Sequence, residues 1–306
     1  MTMPAPNKTA VLLLAHGTAD SIDEIPEFLR HVTGGRPVPP QVIAEVKHRY
    51  CLIGHSPMNE ITARQAELLA RELGQPVYFG MRNWKPFIPD VVRTMHADSV
   101  TRAVAICLAP QNSRTSVGLY RKAVDGDSGT PFELDFVESW HDHPLLMQAF
   151  AEKLRVGWTP ACRQMNGKIP VIFTAHSVPQ RTIAEGDPYE KQTRETARLV
   201  AKAAGLDAQD WTFAFQSQGM SGGEWLGPTV EDTIMGLKTN GHRGVFVQPI
   251  GFLCDHVEVL YDIDIAFQAC ARRQGLRLWR AESLNESALL TAALADLVRF
   301  RTRATA

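Results

Sequence analysis

The chain has 306 residues, of which 44% are hydrophobic and 21% charged, a balance typical of a soluble globular protein and not of a disordered one. Its 32 basic and 33 acidic residues nearly cancel, so the composition gives no support to nucleic-acid binding. The five cysteines form no Cys-x-x-Cys pair, which argues against a zinc site or a disulfide framework and favours the reducing cytoplasm.

Strand and helix patterns alternate through the first half of the chain. Short apolar runs predict strands, and apolar residues spaced three and four apart predict helices. The predicted strands are residues 9–15, 76–81, 103–108 and 133–137, and the predicted helices are residues 22–32, 41–50, 59–73, 90–96, 114–123 and 144–156. No apolar run approaches the length that a transmembrane segment or a secretory signal requires.

A polar stretch at residues 157–168 interrupts the pattern, which then begins again. The second set of predicted strands is residues 169–174, 212–215, 244–249 and 276–281, and the second set of helices is residues 188–204, 230–238, 258–273 and 287–301. Strands that alternate with helices of this length indicate βαβ units, and therefore an α/β fold built on parallel sheets.

The two halves of the chain share a weak sequence similarity at the ends of their first strands. The first strand runs into Ala15-His16-Gly17, and the first strand after the interruption runs into Ala175-His176-Ser177. A histidine at a strand end is often only a loop residue with local hydrogen bonds. Its presence at matching places in both halves instead predicts a cleft with His16 on one wall and His176 on the other.

Acidic residues follow the buried strand at residues 244–249. If a helix starts near Asp255, then Asp255, Glu258 and Asp262 lie on one face, where like charges repel each other. Acids near a helix start are also favourable in themselves, so the pattern has a simple structural alternative. Their position beyond the carboxyl end of a strand favours a ligand site, and with His176 they indicate a cleft that handles metals or protons.

Known motifs narrow the chemistry further. The chain contains no His-Glu-x-x-His zinc motif and neither of the two common glycine-rich phosphate-binding motifs, so no nucleotide is expected.

Several longer segments resemble ferrochelatases. The most specific are TAHSVP at residues 174–179, FQSQG followed by EWLGP within 215–228, and PIGFLCDHVEVLYDID at 249–264. The match continues in the first half with LLLAHGT at 12–18, RYCLIGHSPMNEIT at 49–62, FGMRNWKPFIPD at 79–90 and SVGLYRKA at 116–123. Together they cover nearly the whole chain in order.

The resemblance implies two flavodoxin-like lobes, each a doubly wound parallel sheet, on either side of a porphyrin cleft. It implies an N-terminal lobe of residues 1–138 completed by 282–306, and a C-terminal lobe of residues 139–281. The implied activity is that of a lyase-class metal chelatase, which inserts Fe²⁺ into a porphyrin during haem biosynthesis and releases two protons. We therefore expect Fe²⁺ as a substrate, no iron–sulfur cluster, a cytoplasmic location and a possible partner that receives the product.

The resemblance also assigns roles to single residues. It implies that His176, Glu258 and Asp262 are catalytic and that His176 and Glu258 meet the metal. His16 departs from the family, which has tyrosine or methionine there, and we expect it to ligate iron from the second face. The expected porphyrin contacts are His16, Arg49, Ser56, Tyr120, Ser177, Gln216 and Trp225.

The identity of the porphyrin is a separate prediction. Arg49, Ser56 and Tyr120 align with residues that bind propionates in the coproporphyrin-using branch, and the segment 29–40 is polar rather than apolar. Coproporphyrin has four propionates and needs more cationic and hydroxyl anchors than protoporphyrin, which has two. These residues favour coproporphyrin III over protoporphyrin IX.

Two alternatives remain at this stage. The first is a non-catalytic tetrapyrrole carrier or sensor, in which His16 and His176 simply hold haem. The second is a chelatase of the same architecture that loads cobalt or nickel into another tetrapyrrole. Turnover with iron distinguishes the enzyme from the carrier.

Overall fold

A computed structural model describes residues 8–218 and 223–303 of the chain. The first of its two parallel sheets contains β1 (Thr9–Ala15), β2 (Val77–Met81), β3 (Arg102–Cys107) and β4 (Glu133–Val137) in the order β2-β1-β3-β4. The second contains β5 (Val171–His176), β6 (Trp211–Gln216), β7 (Gly244–Pro249) and β8 (Arg277–Arg280) in the order β6-β5-β7-β8. Strand order is therefore the same in both halves, with β5 in the place of β1, and the prediction of two α/β lobes is confirmed.

The helices lie between and after the strands and are numbered in chain order. They are α1 (Ile25–Val32), α2 (Pro40–Ile53), α3 (Met58–Leu73), α4 (Ile88–Ala97), α5 (Val117–Asp125), α6 (Pro144–Gln164), α7 (Gln180–Ala184), α8 (Tyr189–Ala204), α9 (Val230–Thr239), α10 (Val257–Leu260), a π-helix (Asp262–Phe267), α11 (Gln268–Arg273) and α12 (Ala288–Arg303). Among the described helices, none is both long enough and apolar enough to cross a bilayer.

The sequence of β1 explains why it lies in the middle of its sheet. Successive side chains of a strand point to opposite faces. Val11 and Leu13 belong to one buried apolar cluster, whereas Leu12 and Leu14 belong to another on the opposite face. A run that is apolar at every position suits a strand that is covered on both sides, as in doubly wound folds.

Helix α6 corrects the prediction that a polar stretch begins at Gly157, because the helix continues to Gln164. Gly157 permits close packing there, since a Cβ atom would lie 2.8 Å from Cζ of Phe246. The indole of Trp158 donates to the carbonyl of Ile169 at 2.8 Å, which attaches the end of the helix to the second sheet. Tertiary contacts thus outweigh the local helix-breaking tendency of glycine and proline.

The C-terminal helix α12 returns to the first half of the chain. It packs against α3 and α6, and Arg299 contacts a carboxylate oxygen of Glu72 at 2.9 Å. Arg301 lies 3.2 Å from Asp135 in the middle of β4. The helix therefore contacts both halves of the chain, and the predicted lobes, with boundaries at residues 138 and 281, stay a prediction.

A buried polar contact fixes one lobe against the other. Gln111, in the loop after β3, donates through Nε2 to the carbonyl of Ile250 at 3.1 Å and to the hydroxyl of Thr196 at 3.2 Å. The next residue, Asn112, donates its backbone N–H to Gln192 at 2.6 Å. Buried polar groups are costly unless they are paired, so these bonds specify one orientation of the two sheets.

Candidate active site

Two histidines lie at equivalent strand ends, one in each lobe. His16 follows the last residue of β1, and His176 is the last residue of β5, the equivalent strand. Val257, the residue before Glu258, packs against the apolar cluster that contains Ala15, the residue before His16, so the two walls of the cleft approach each other. Each lobe therefore contributes a strand-end histidine beside this cleft, and their facing each other across it stays a prediction.

Both imidazoles are held in the same way. Nδ1 of His16 lies 2.9 Å from the carbonyl oxygen of Gly17, and Nδ1 of His176 contacts the carbonyl oxygen of Ser177. A carbonyl only accepts, so Nδ1 carries the proton in each neutral ring and Nε2 keeps a free lone pair. Each histidine therefore presents the nitrogen that can accept a proton or bind a metal.

Two glycines allow the loops beside these histidines to pack closely. Gly17 has a left-handed backbone with φ of +79°, and a Cβ atom there would lie 2.9 Å from Cβ of Met81. At Gly251, a Cβ atom would lie 2.8 Å from Cβ of Ala175, the residue before His176. Any side chain at these two positions would displace a neighbour of a candidate active-site histidine.

Glu258 lies between two imidazoles. Its Oε1 atom is 3.7 Å from Nε2 of His176, and its Oε2 atom is 3.8 Å from Nε2 of His256. The His176 and Glu258 side chains are 33% and 35% exposed, so a ligand in the cleft can reach both. His256 is buried, and its Nδ1 lies 3.1 Å from the carbonyl oxygen of Cys254.

Burial and neighbouring charges give His16 and Glu258 different protonation states. Burial and the nearby Arg82 guanidinium lower the pKa of His16 from its ordinary value of 6.5 to about 4. Burial alone would raise the pKa of Glu258, but His176 and His256 outweigh it and bring that pKa to about 2. At neutral pH the cleft therefore combines a neutral His16 with an ionised Glu258.

Asp262 differs from Glu258 although it follows one turn later. Burial, supported by the Glu258 charge, raises the pKa of Asp262 from 3.8 to about 6, against the effect of its hydrogen bond from Ser217. Ser217 reaches it from the end of β6 through a left-handed backbone with φ of +59°. Asp262 is thus the carboxyl in this line that can exchange protons near neutral pH.

The helix that carries these acids is interrupted by a π-turn. The backbone N–H groups of Ile265 and Ala266 both donate to the carbonyl of Tyr261, at 3.1 and 3.0 Å, and the second bond spans five residues. The prediction of one helix over residues 258–273 is therefore wrong in detail. Such π-turns occur often at functional sites.

The prediction that Asp255 shares a face with Glu258 and Asp262 is also wrong. The helix begins at Val257, after an extended His256, and the Asp255 carboxylate accepts from Ser283 at 2.7 Å and from Asn285 at 2.8 Å. Those partners lie about thirty residues later in the chain, where a count of helical spacing cannot detect them.

The expected porphyrin contacts fall into two groups. Arg49, His16 and Trp225 are partly exposed, and the Trp225 ring lies 6.5 Å from the His176 ring. The others are almost fully buried, namely Ser56, Tyr120, Ser177 and Gln216, which are 1%, 5%, 0% and 2% exposed.

The buried members of that set contact protein groups. Ser177 donates to the carbonyl of Leu226 at 2.9 Å, and Gln216 donates to the carbonyl of Glu258 at 3.0 Å. The structure therefore gives these two side chains a supporting role, and their contact with a porphyrin stays a prediction. Gly219, which follows Gln216 by three residues, lies outside the described residues.

Sequence reasoning missed several residues around the site. Tyr189 donates its hydroxyl to the carbonyl of His176 at 2.9 Å, and His256 lies against Glu258. Of these two, only His256 could be expected at the site from the sequence, because it lies within the acidic segment. A His-x-His pair, His141 and His143, was also overlooked.

That pair does not converge on one point. His141 lies 3.2 Å from the Glu195 carboxylate, whereas His143 lies 3.2 Å from Asp296 on α12. In the described ranges, no group of three or more histidine, cysteine, aspartate or glutamate residues is arranged to hold a metal ion.

Comparisons with known proteins agree with this geometry. The sequence model of the ferrochelatase family matches residues 8–302. A ferrochelatase of Acidobacterium capsulatum is 55% identical over 95% of this chain and 94% of its own length. A coproporphyrin III ferrochelatase of Geobacillus kaustophilus is 35% identical over 95% of each chain.

The fold also has a solved counterpart. The structure of SirB from Bacillus subtilis with Fe³⁺ superposes with a TM-score of 0.56 at 10% identity, over 95% of this chain and 94% of that one. At this identity the likeness concerns the fold alone, and it confirms the chelatase-like arrangement of two lobes.

Proposed function

The chain belongs to the ferrochelatase family of metal chelatases, which insert Fe²⁺ into a porphyrin, and we propose that its porphyrin is coproporphyrin III and that His176, Glu258 and Asp262 carry the reaction. The observation that carries the proposal is the placement of Glu258 Oε1 3.7 Å from Nε2 of His176, at the cleft where Val257 packs against the cluster of Ala15, the residue before His16. Membership of an enzyme family decides against the alternative of a non-catalytic carrier.

The reaction requires a base beside the centre of the ring. Two pyrrole N–H protons must leave as the dication enters, and each proton needs an acceptor within hydrogen-bonding reach. His176 presents a free Nε2 lone pair because its Nδ1 proton is engaged by the carbonyl of Ser177. We assign to His176 the first acceptance of a pyrrole proton.

Glu258 and Asp262 then have different roles. With a pKa of about 2, Glu258 stays an anion that attracts Fe²⁺ and stabilises a protonated His176. Asp262, with a pKa of about 6, is suited to take the proton onward and away from the cleft. His16, in the other lobe, keeps a lone pair on Nε2, and we assign to it the role of an iron ligand from the second face.

The preference for coproporphyrin III follows from cations at the cleft. The Arg82 guanidinium lies over the Tyr120 ring at 5.5 Å and acts electrostatically on His16. Among the described residues, its buried Nε atom has no hydrogen-bond partner, so a propionate can serve as the partner of this guanidinium. Arg49, on α2, provides a second guanidinium near the acidic line.

Side-by-side kinetics test the substrate assignment. We expect kcat/KM for iron insertion to be at least about tenfold higher with coproporphyrin III than with protoporphyrin IX, because two further carboxylates find cationic partners. Arg82→Met should reduce that ratio, whereas Arg194→Met, which removes an arginine paired with Glu190 at 2.8 Å, should not. A higher kcat/KM with protoporphyrin IX would reject the assignment.

A further inference from the structure

One arginine joins the two ends of the segment that carries the active-site acids. Arg280 is the last residue of β8, and its Nε and Nη2 atoms lie 2.6 and 2.9 Å from the two carboxylate oxygens of Asp264. The same Nη2 lies 3.3 Å from Oδ1 of Asp255. Glu258 and Asp262 stand between these two aspartates in the chain.

This contact is more than a surface ion pair. The Arg280 side chain is only 16% exposed, and it meets Asp264 through two parallel bonds, the geometry in which arginine binds carboxylates most strongly. Its Nη1 atom also donates to the carbonyl of Ala281 at 3.0 Å. An exposed ion pair would contribute little to stability, whereas a partly buried contact through two bonds restricts the orientation of Asp264 relative to Arg280.

Asp255 is held from its other side as well. Its two carboxylate oxygens accept from Ser283 and Asn285, and its backbone N–H donates to Oδ1 of Asn285 at 2.8 Å. The residue thus fixes the loop before α10 to the chain that follows β8. Because protein donors occupy its oxygens, Asp255 does not continue the acidic line formed by Glu258 and Asp262.

The interrupted helix needs such support. A π-helix is rare and occurs mostly as a single turn inside an α-helix, so contacts from outside the helix are expected to hold it. Asp264 lies inside the π-helix, and Asp255 lies just before α10, so Arg280 restrains the acid-bearing segment at both ends.

We propose that Arg280 is a positioning residue for iron insertion, which holds Asp255 and Asp264 so that the segment between them presents Glu258 and Asp262 to the cleft. The inference rests on the function proposed for those two acids. Arg280 contacts neither of them, and it acts through the backbone of residues 255–264.

Three substitutions and one control test the proposal. Arg280→Gln removes both the positive charge and the guanidinium geometry that makes two parallel bonds to Asp264. Arg280→Lys keeps the charge but cannot make both bonds, and Asp264→Asn weakens the same contact by removing the charge of the partner. The control is Lys153→Gln, which breaks a neighbouring ion pair, 2.9 Å to Glu282, that does not reach the acids. Each variant is measured for iron insertion, for porphyrin affinity by fluorescence titration, and for amide hydrogen exchange.

We expect Arg280→Gln to lower kcat/KM for Fe²⁺ by about tenfold to a hundredfold, as supporting contacts of metal-binding residues typically do, while the porphyrin Kd stays within about twofold. Arg280→Lys should have a higher kcat/KM for Fe²⁺ than Arg280→Gln, although lower than that of the unaltered protein. The kcat/KM of Asp264→Asn should lie between those of Arg280→Gln and Arg280→Lys. Hydrogen exchange should become faster in residues 257–267, with the rest of the second lobe unchanged.

Two results would overturn the proposal. One is a kcat/KM for Fe²⁺ in folded Arg280→Gln and Asp264→Asn that equals the value of Lys153→Gln. The other is a loss of porphyrin affinity as large as the loss of kcat/KM, which would indicate general damage to the cleft.

The design also separates this proposal from the function on which it rests. If Arg280→Gln does not fold, Arg280→Lys and Asp264→Asn decide by the same criteria. If the unaltered chain inserts no iron, the proposed function fails, and hydrogen exchange in residues 257–267 still decides whether Arg280 holds the segment.

Discussion

Arg49 and Asp262 meet across the cleft, with Nη1 of the arginine 3.6 Å from Oδ1 of the aspartate. Arg49 belongs to α2 in the first lobe and Asp262 to the π-helix in the second, so the pair joins the lobes at the outer end of the acidic line. The same guanidinium lies over the Tyr261 ring at 4.7 Å, and Glu45 holds its Nε atom at 2.9 Å. The positive charge favours the ionised form of Asp262 and thereby affects how readily it takes a proton.

Replacing Arg49 should therefore change the pH dependence of the reaction. Arg49→Met removes a charge that lowers the pKa of Asp262, so that pKa should rise further above 6. We expect the acid limb of kcat against pH to move to higher pH, since a protonated Asp262 cannot accept a proton. Arg194→Met serves as the control, and a limb that stays in place or moves to lower pH would contradict the assignment.

We expect the ionised Asp262 carboxylate to lower the free energy of unfolding. Its pKa is higher in the folded protein than its ordinary value of 3.8, so stability falls as pH rises from about 4 to about 6. Asp262→Asn removes this cost, and we expect the free energy of unfolding in urea to increase by about 1–2 kcal/mol at pH 8.

At pH 3.5 the same substitution should leave the free energy of unfolding nearly unchanged, because the carboxyl is then mostly protonated in both states. Asp127→Asn, at an exposed aspartate in the loop after α5, is the matched control. A destabilised Asp262→Asn at pH 8 would show that the carboxylate is favourable where it lies.

The proposed iron contact of His16 can be tested by spectroscopy. His16→Ala should alter the absorption spectrum of the complex with iron coproporphyrin, because a ligand is lost from the second face. His31→Ala is a suitable control, since that imidazole lies in the same lobe but packs against Trp84 and Phe87, with ring distances of 6.4 and 5.0 Å. Identical spectra of His16→Ala and the unaltered protein would exclude the contact.

Gly251 should be sensitive to the smallest side chain. The Cβ atom of Gly251→Ala would lie 2.8 Å from Cβ of Ala175, so either the loop or the end of β5 must shift. We expect a loss of about 1–3 kcal/mol in the free energy of unfolding and a lower kcat, because His176 is the next residue.

Gly236→Ala in α9 provides the opposite case. No atom lies within 4 Å of a Cβ atom built there, and alanine favours a helix, so we expect a gain of about 0.5–1 kcal/mol. Equal stability of the two variants would contradict the packing argument for Gly251.

Sequence patterns predict much of this fold because its central strands are largely apolar. The run from Ala10 to Leu14 indicates a buried strand, and a similar run before His176 predicts two equivalent sheets with their histidines at one edge. That edge is where parallel sheets bind ligands, so the sequence predicts a cleft that includes His16, His176 and Glu258.

The details of the acidic segment could not be predicted in the same way. The orientation of Asp255 depends on Ser283 and Asn285, and the π-turn after Tyr261 changes the helical spacing on which the prediction relied. Burial of Ser177 is also a tertiary property, because its partner is the carbonyl of Leu226, 49 residues away. Local periodicity contains no information about such contacts.

Iron insertion by His176→Ala and Glu258→Gln tests the central claim most directly. With Fe²⁺ and coproporphyrin III at saturation, we predict that each variant loses at least about a hundredfold in kcat, since each lacks a group that handles the proton or the metal. Fluorescence titration should show that both still bind the porphyrin. If either variant that binds porphyrin inserts iron at the rate of the unaltered protein, the roles assigned to this pair are wrong.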